Sequence, residues 1–152
     1  MISDVVADFL QGGLSMFVAT RDAELEPHGA RGWAVVVDDD RQHLTVYVHR
    51  AAARWLLSDL AENGQIAVAF TRPTDHRAFQ VKGVTVATRP ARAEEKPVVM
   101  RQVDGFLGEL VAVGIPPAMV RNWKTWPCVA VQMRVTDVFE QTPGPRAGER
   151  VP

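Results

Sequence analysis

Apolar positions along this chain recur with two periods, and the switches between them divide it into elements. Ile2, Val5, Val6, Phe9 and Leu10 share one helical face, with Ser3 placed to cap that helix and Gly12-Gly13 to end it. Leu14–Thr20 reads as a strand, and Arg21–Gly29 as a turn region containing Pro27. Ala30–Val37 is a β-rich run, Asp38–Gln42 a polar turn, and Leu44–Val48 alternates, with Leu44, Val46 and Val48 opposite Thr45 and Tyr47. This pattern predicts a hairpin whose second strand runs straight into a helix. In that helix Ala53, Leu56, Leu57 and Leu60 repeat at helical spacing, and Asn63-Gly64 provides the stop.

Gln65–Thr71 is the next strand, with Ile66, Val68 and Phe70 on one face, and Arg72-Pro73-Thr74-Asp75 is a turn. Arg77–Arg89 predicts a long strand whose apolar phase slips at Gly83, from Phe79 and Val81 to Val84 and Val86. A β-bulge at Gly83 accounts for such a slip and would bend the strand as a small barrel requires. Glu94–Val113 predicts a second long helix, with Pro97 in its first turn and an apolar face of Val99, Val103, Phe106, Leu107 and Leu110. Gly105 and Gly108 weaken it by roughly 1 kcal/mol each against alanine. Ala118–Trp123 predicts a helical turn or two, Trp123–Pro127 an irregular stretch, and Cys128–Gln141 a final strand. The order is α-β-β-β-α-β-β-α-β. Its short strand connections imply a mainly antiparallel sheet, and six strands with few helices suggest a closed or partly open barrel, which removes bare edges.

At 152 residues, with 47% apolar and 23% charged side chains, the chain suits one globular domain over residues 1–141. Thr142–Pro152 has nothing to bury and predicts a surface tail. A net charge of −1 without a basic tract argues against a nucleic-acid partner. One cysteine, Cys128, excludes an intrachain disulfide, and its place at the start of an apolar strand predicts an inert buried thiol. The N-terminus lacks a positive leader and no apolar run approaches a membrane span, so a cytoplasmic address is expected, with no membrane partner.

Chemistry concentrates where the hairpin meets its helix. The helix start has no Ser, Thr, Asp or Asn cap and no acid in its first turn; His49, Arg50 and Arg54 stand there instead. Cationic side chains at a helix N-terminus oppose the macrodipole by roughly 0.3–1 kcal/mol each. A bound anion would reverse that sign by accepting from the free amides and pairing with the guanidinium groups, which makes Val48–Arg54 a candidate phosphate site. The other reading is that the arginines swing into solvent and water caps the helix. Trp33, Trp55, Trp123 and Trp126 suit a core or a subunit interface, or a flat ligand to stack on. His28, His43, His49 and His76 lack a metal-ligand spacing, Asp38–Asp40 lacks the rest of a calcium loop, and Ser15 and Ser58 have no partnered base.

The strand opening with Arg31, the segment VYVHRAAAR at Val46–Arg54 leading into a helix, and AFQVKG at Ala78–Gly83 together resemble the pyridoxamine 5′-phosphate oxidase-like family, the FMN-binding split barrels. The likeness runs from about Leu10 to Gln141. It implies a six-stranded antiparallel split barrel, mainly β with flanking helices. It also implies a homodimer holding FMN between its subunits, and hydride transfer to or from a small organic molecule or a nicotinamide. Matched position by position, the resemblance implies cofactor contacts at Arg31, at Tyr47 and Val48 beside the flavin, at Arg54 in the first helical turn, and at Gln80 or Lys82 near the ring or ribityl chain, while His49 and Arg50 join the candidate phosphate site from the helix corner itself. Ala52 and Ala53 stand where the family often has a serine and an arginine. The C-terminal substrate segment of true pyridoxamine phosphate oxidases is missing, so that oxidation is not expected. The alternatives are a non-catalytic barrel that carries flavin, deazaflavin or haem, with His49 or His76 as the haem ligand, and a barrel that has lost its ligand.

Overall fold

In a computed structural model, which describes residues 1–151, the strands close into one barrel in the order β1-β2-β3-β6-β5-β4. The elements are α1 (Asp4–Leu10), β1 (Ser15–Arg21), β2 (Pro27–Val37), β3 (His43–His49), α2 (Arg54–Asn63), β4 (Gln65–Thr71), β5 (Ala78–Pro90), α3 (Lys96–Ala112), α4 (Pro117–Val120) and β6 (Cys128–Glu140). Short 3-10 turns at Arg50–Ala52 and Ala93–Glu95 lead into α2 and α3. All six strand pairs are antiparallel, as the short connections predict. No helix among the described residues is long and apolar enough to cross a membrane.

Alternation decides which side chains fill the barrel. Met16, Val18, Leu44, Val46, Val48, Val68, Phe70, Val81, Val131 and Met133 are buried together inside it. α1 and α2 add Val6, Leu10, Leu56 and Leu60 to this core. A second cluster forms on the outer wall, where Trp33, Tyr47, Cys128 and Ala130 meet Val99, Val103 and Phe106 of α3. Ser3 caps α1 and Gly64, at φ 69°, closes α2 in the left-handed conformation, as the sequence predicts.

A register irregularity falls at Lys82–Gly83, where the sequence predicts a bulge, but the inserted residue belongs to β6 and β5 keeps its own phase. Phe79, Val81 and Gly83 stay on the inner side, while Val84 and Val86 are outward and 38% and 56% exposed. One extra residue lies opposite this step on β6, and a second follows on β5. Lys82 pairs with Asp137 and Gly83 with Val135, which leaves Thr136 of β6 unpaired; Thr85 pairs with Met133 and Ala87 with Gln132, which leaves Val86 unpaired. Gly83 is glycine for a different reason. A Cβ there would stand 2.2 Å from the Arg134 carbonyl oxygen and 2.7 Å from Met133 Cε. The exposed valines imitated an inward phase.

Docking of α3 has two causes the apolar pattern does not carry. Its Gly105 lies against Gly13 so closely that a Cβ on Gly13 would fall 2.2 Å from the Gly105 carbonyl carbon. Gln102, 3% exposed, pairs with β2 like a piece of strand: Val35 N donates to its Oε1 at 2.9 Å, and its Nε2 donates to the Val35 carbonyl at 2.7 Å. The segment expected as a surface tail is mostly exposed but anchored at its end. Val151 N donates to the Val138 carbonyl, Arg150 pairs with Asp137 at 2.8 Å, and Val151 packs against the barrel core. Pro152 lies outside the described residues.

Candidate functional site

The corner between β3 and α2 is built as its sequence suggests, with one refinement. β3 ends at His49, and the 3-10 turn Arg50–Ala52 separates it from α2. His49 Nδ1 accepts from Ala51 N at 3.3 Å, and Arg50 N donates to the Pro127 carbonyl at 2.9 Å, which ties the turn to the segment before β6. The following N-cap, Ala53, offers no side chain, so the first amides of α2 have no protein side-chain acceptor. Arg50 and Arg54 are both exposed there and neither makes an ion pair among the described residues.

Arg31 is brought to the same corner. Gly32 pairs with Val48 at the end of the β2–β3 ladder, so Arg31 is the next residue along β2. Its guanidinium carbon lies 4.8 Å from the Phe17 ring centroid, 5.3 Å from Trp123, 5.4 Å from Phe106 and 5.8 Å from Trp33. Among the described residues its one polar side-chain contact is Nη1 donating to Ser15 Oγ at 3.3 Å. Partial burial lowers its pKa from the ordinary guanidinium value. A half-buried cation faced by rings and one hydroxyl, with no carboxylate, suits an anion that arrives from outside.

The register then lays a wall beside Arg31. Arg31 pairs with Phe17, Phe17 with Ala69, Ala69 with Gln80, and Gln80 with Phe139. These positions point outward, with Phe17 51% exposed. At roughly 4.8 Å per strand the wall from Arg31 to Gln80 is about 14 Å wide. Phe17 and Ala69 therefore place an outward apolar platform between a cation and an amide. Nothing local in the sequence marks Phe17 or Ser15 for this corner; the pairing of Met16 and Phe17 with Gly32 and Arg31 is the signal that brings both beside it.

Other predicted residues sit apart from the corner. Tyr47 turns its side chain under α3, where its hydroxyl donates to Glu95 Oε1 at 2.9 Å. Arg89 holds the same carboxylate through two bonds of 2.7 and 2.6 Å. That guanidinium, ahead of the opposing desolvation, draws the Glu95 pKa down to about 2, while burial and the neighbouring carboxylate raise the Tyr47 phenol. Val48 is fully buried in the barrel, so only its backbone belongs to the corner. Lys82 is exposed, with Nζ 5.0 Å from the Phe139 ring centroid. His76 lies in the β4–β5 turn at φ 59°. Among the described residues no group of three or more metal-ligating side chains converges. Cys128 is 2% exposed, and burial pushes its thiol up to about 12, which leaves it inert as expected.

A polar cluster unforeseen in the sequence ties α2 to the barrel. Asp59, 2% exposed, accepts from Thr20 Oγ1 at 2.5 Å and lies 2.9 Å from His28 Nδ1. The His28 ring stacks on Trp55 with centroids 5.4 Å apart, and the Arg54 guanidinium sits 5.1 Å from the Trp55 centroid. Arg54 is thereby held near the corner by a stack whose base is a buried carboxylate.

The fold is the six-stranded split barrel of the pyridoxamine 5′-phosphate oxidase-like proteins. An F420 reductase shares it at a TM-score of 0.57 and 15% identity, covering 86% of this chain and 93% of the other. So do a candidate pyridoxamine 5′-phosphate oxidase of Lactobacillus delbrueckii (TM-score 0.55, 13% identity, 90% and 92% covered) and an FMN-binding protein of Syntrophomonas wolfei (0.52, 15%, 88% and 82%). At such identities the likeness is one of fold. No family model matches the chain, and no curated protein does.

Proposed function

We propose that this chain binds FMN, or a deazaflavin of the same build, and transfers hydride between that cofactor and a small organic molecule or nicotinamide. The observation that carries the reading is Arg31, a desolvated cation without a carboxylate beside an uncapped helix start. The donor set fits a phosphate monoester: Arg31 and Ser15 on one side, Arg50, Arg54 and the bare α2 amides on the other. The Phe17–Ala69 platform suits a flat ring, with Gln80 at its far edge as a hydrogen-bonding group. Names of two fold neighbours, an FMN-binding protein and an F420 reductase, agree with this choice of ligand. The bound flavin would supply the redox chemistry; the protein's part is to place it, neutralise its phosphate and exclude water from one ring face. No acid–base dyad is needed for that task.

The exposed platform also supports a homodimer in which a second copy covers the wall. Phe17, Val84 and Val86 are outward apolar side chains that such contact would bury. Absorbance titration with FMN, followed by a nicotinamide oxidation assay, tests the catalytic reading. A shifted flavin spectrum with turnover is expected; binding without turnover for any hydride donor would leave a carrier, and no binding would remove the cofactor. Sedimentation equilibrium is expected to give twice the chain mass, and a monomer at all concentrations would remove the dimer.

A further inference from the structure

One register step from the platform, the barrel wall opens into a cleft of about 420 Å³. Its floor is small and mainly apolar. Ala19 pairs with Ala67 and Ala67 with Lys82, directly beside the Phe17–Ala69–Gln80 row, and Val84 closes one side. The cleft forms where the β1–β4 pairing ends, just past Ala19 and Ala67.

Two cations flank this floor, and neither makes an ion pair among the described residues. Arg21 has neutral partners only: Nη2 donates to Gln65 Oε1 at 3.1 Å and Nη1 to the Asp22 carbonyl at 3.0 Å. Lys82 has an aromatic face and no carboxylate. Asp137, its lateral neighbour on β6 and also a lining residue of the cleft, has its Oδ1 paired with Arg150 at 2.8 Å. The Thr136 hydroxyl likewise points back, donating to the Lys82 carbonyl at 3.2 Å. The cleft thus combines a compact apolar floor with two positive charges that have no ion-pair partner among the described residues, and one lining acid, Asp137, that is already paired with Arg150.

We infer that this cleft binds an organic monocarboxylate with a small apolar or aromatic body. The body lies over Ala19 and Ala67, and the carboxylate reaches Arg21 and Lys82. Binding stands on the cleft alone. The further role, as the redox substrate held beside the flavin ring, rests on the proposed cofactor, since the two sites share adjoining rows of β1, β4 and β5.

Calorimetric titration of the cofactor-free protein with benzoate, against benzyl alcohol of the same shape, tests the assignment. Benzoate is expected to bind, with the alcohol at least tenfold weaker. Lys82→Gln and Arg21→Gln are each expected to weaken benzoate about tenfold and to leave the alcohol unchanged, the scale of one hydrogen bond to a charged group in a partly exposed site. Ala67→Leu fills the floor and is expected to abolish both. Equal affinities for acid and alcohol, unchanged benzoate binding in the double Arg21→Gln, Lys82→Gln variant, or no binding of benzoate at all would overturn the proposal. FMN binding with no benzoate site would sink this inference and spare the flavin reading; the reverse result would leave a carboxylate site without a redox role.

Discussion

In the proposed FMN complex, Arg31→Met tests the phosphate contact separately from the ring contact. Methionine keeps an unbranched apolar stem against Phe17, Trp33, Phe106 and Trp123 but removes the charge and the bond to Ser15. In the ligand-free protein two effects oppose. Lost cation–π attraction costs about 0.5–1 kcal/mol for each well-placed ring, and these do not add fully. Against that, the substitution removes a cation that burial already disfavours and that has no carboxylate to stabilise it. The net change in stability is therefore expected within about 1 kcal/mol. For FMN the loss is one-sided: a charge-assisted bond to phosphate contributes about 1.5–3 kcal/mol, or roughly 10- to 150-fold in Kd. Riboflavin has no phosphate, so its affinity should change less than about threefold. Flavin fluorescence quenching with both ligands, beside a urea melt of each protein, reads all three quantities. If FMN and riboflavin weaken together, or if FMN is unaffected, Arg31 is not the phosphate partner.

Other consequences can be measured independently. Asp59→Ala leaves Thr20 and His28 without their acceptor and should cost about 3 kcal/mol in chemical denaturation, as for other broken buried pairs; a loss below 1 kcal/mol would mean the cluster is not a tie between α2 and the barrel. Gly13→Ala forces a methyl group against the backbone of Gly105 and should cost about 3 kcal/mol or more, where an unchanged melt would mean α3 docks less closely. Thr85 has a buried hydroxyl without a partner among the described residues, so Thr85→Val should stabilise by about 1 kcal/mol, and destabilisation would reveal a hidden acceptor. Glu95 has its pKa depressed to about 2 in the fold, so its contribution is present above the ordinary carboxyl range and lost as pH falls from about 4.5 to 2. Glu95→Gln should accordingly lower the urea midpoint at pH 7 and converge on the parent near pH 2; a constant gap across that range would contradict the pairing.

The barrel was legible in sequence because each strand obeys the inside–outside rule over several residues. Gln65–Thr71 matches its run residue for residue, and the uncapped start and glycine stop of α2 are local features of Ala53 and Gly64. Local reading failed where an apolar residue faces outward. Val84 and Val86 carry an inward pattern on an outward face, and nothing within β5 distinguishes the two. The bulge at Thr136 was invisible for a related reason, since β6 keeps its own alternation and the extra residue shows only against β5.

The arrangement of the candidate site was half legible. His49, Arg50 and Arg54 gather by adjacency, so the chain itself presents them. Arg31 had to be matched by resemblance, and its aromatic surroundings depend on Phe106 and Trp123, more than seventy residues away. The same holds for Tyr47, whose hydroxyl is claimed by Glu95 across 48 positions. Pairing that distant sets where a side chain turns, and no window along the sequence contains it.

A crystal structure of the protein grown with FMN tests the central claim most directly. Phosphate density is expected within hydrogen-bonding reach of Arg31 and the first amides of α2, with the ring over Phe17 and Ala69. Phosphate bound instead between Arg89 and Arg92, or a corner occupied only by water in a crystal that holds FMN elsewhere, would contradict it.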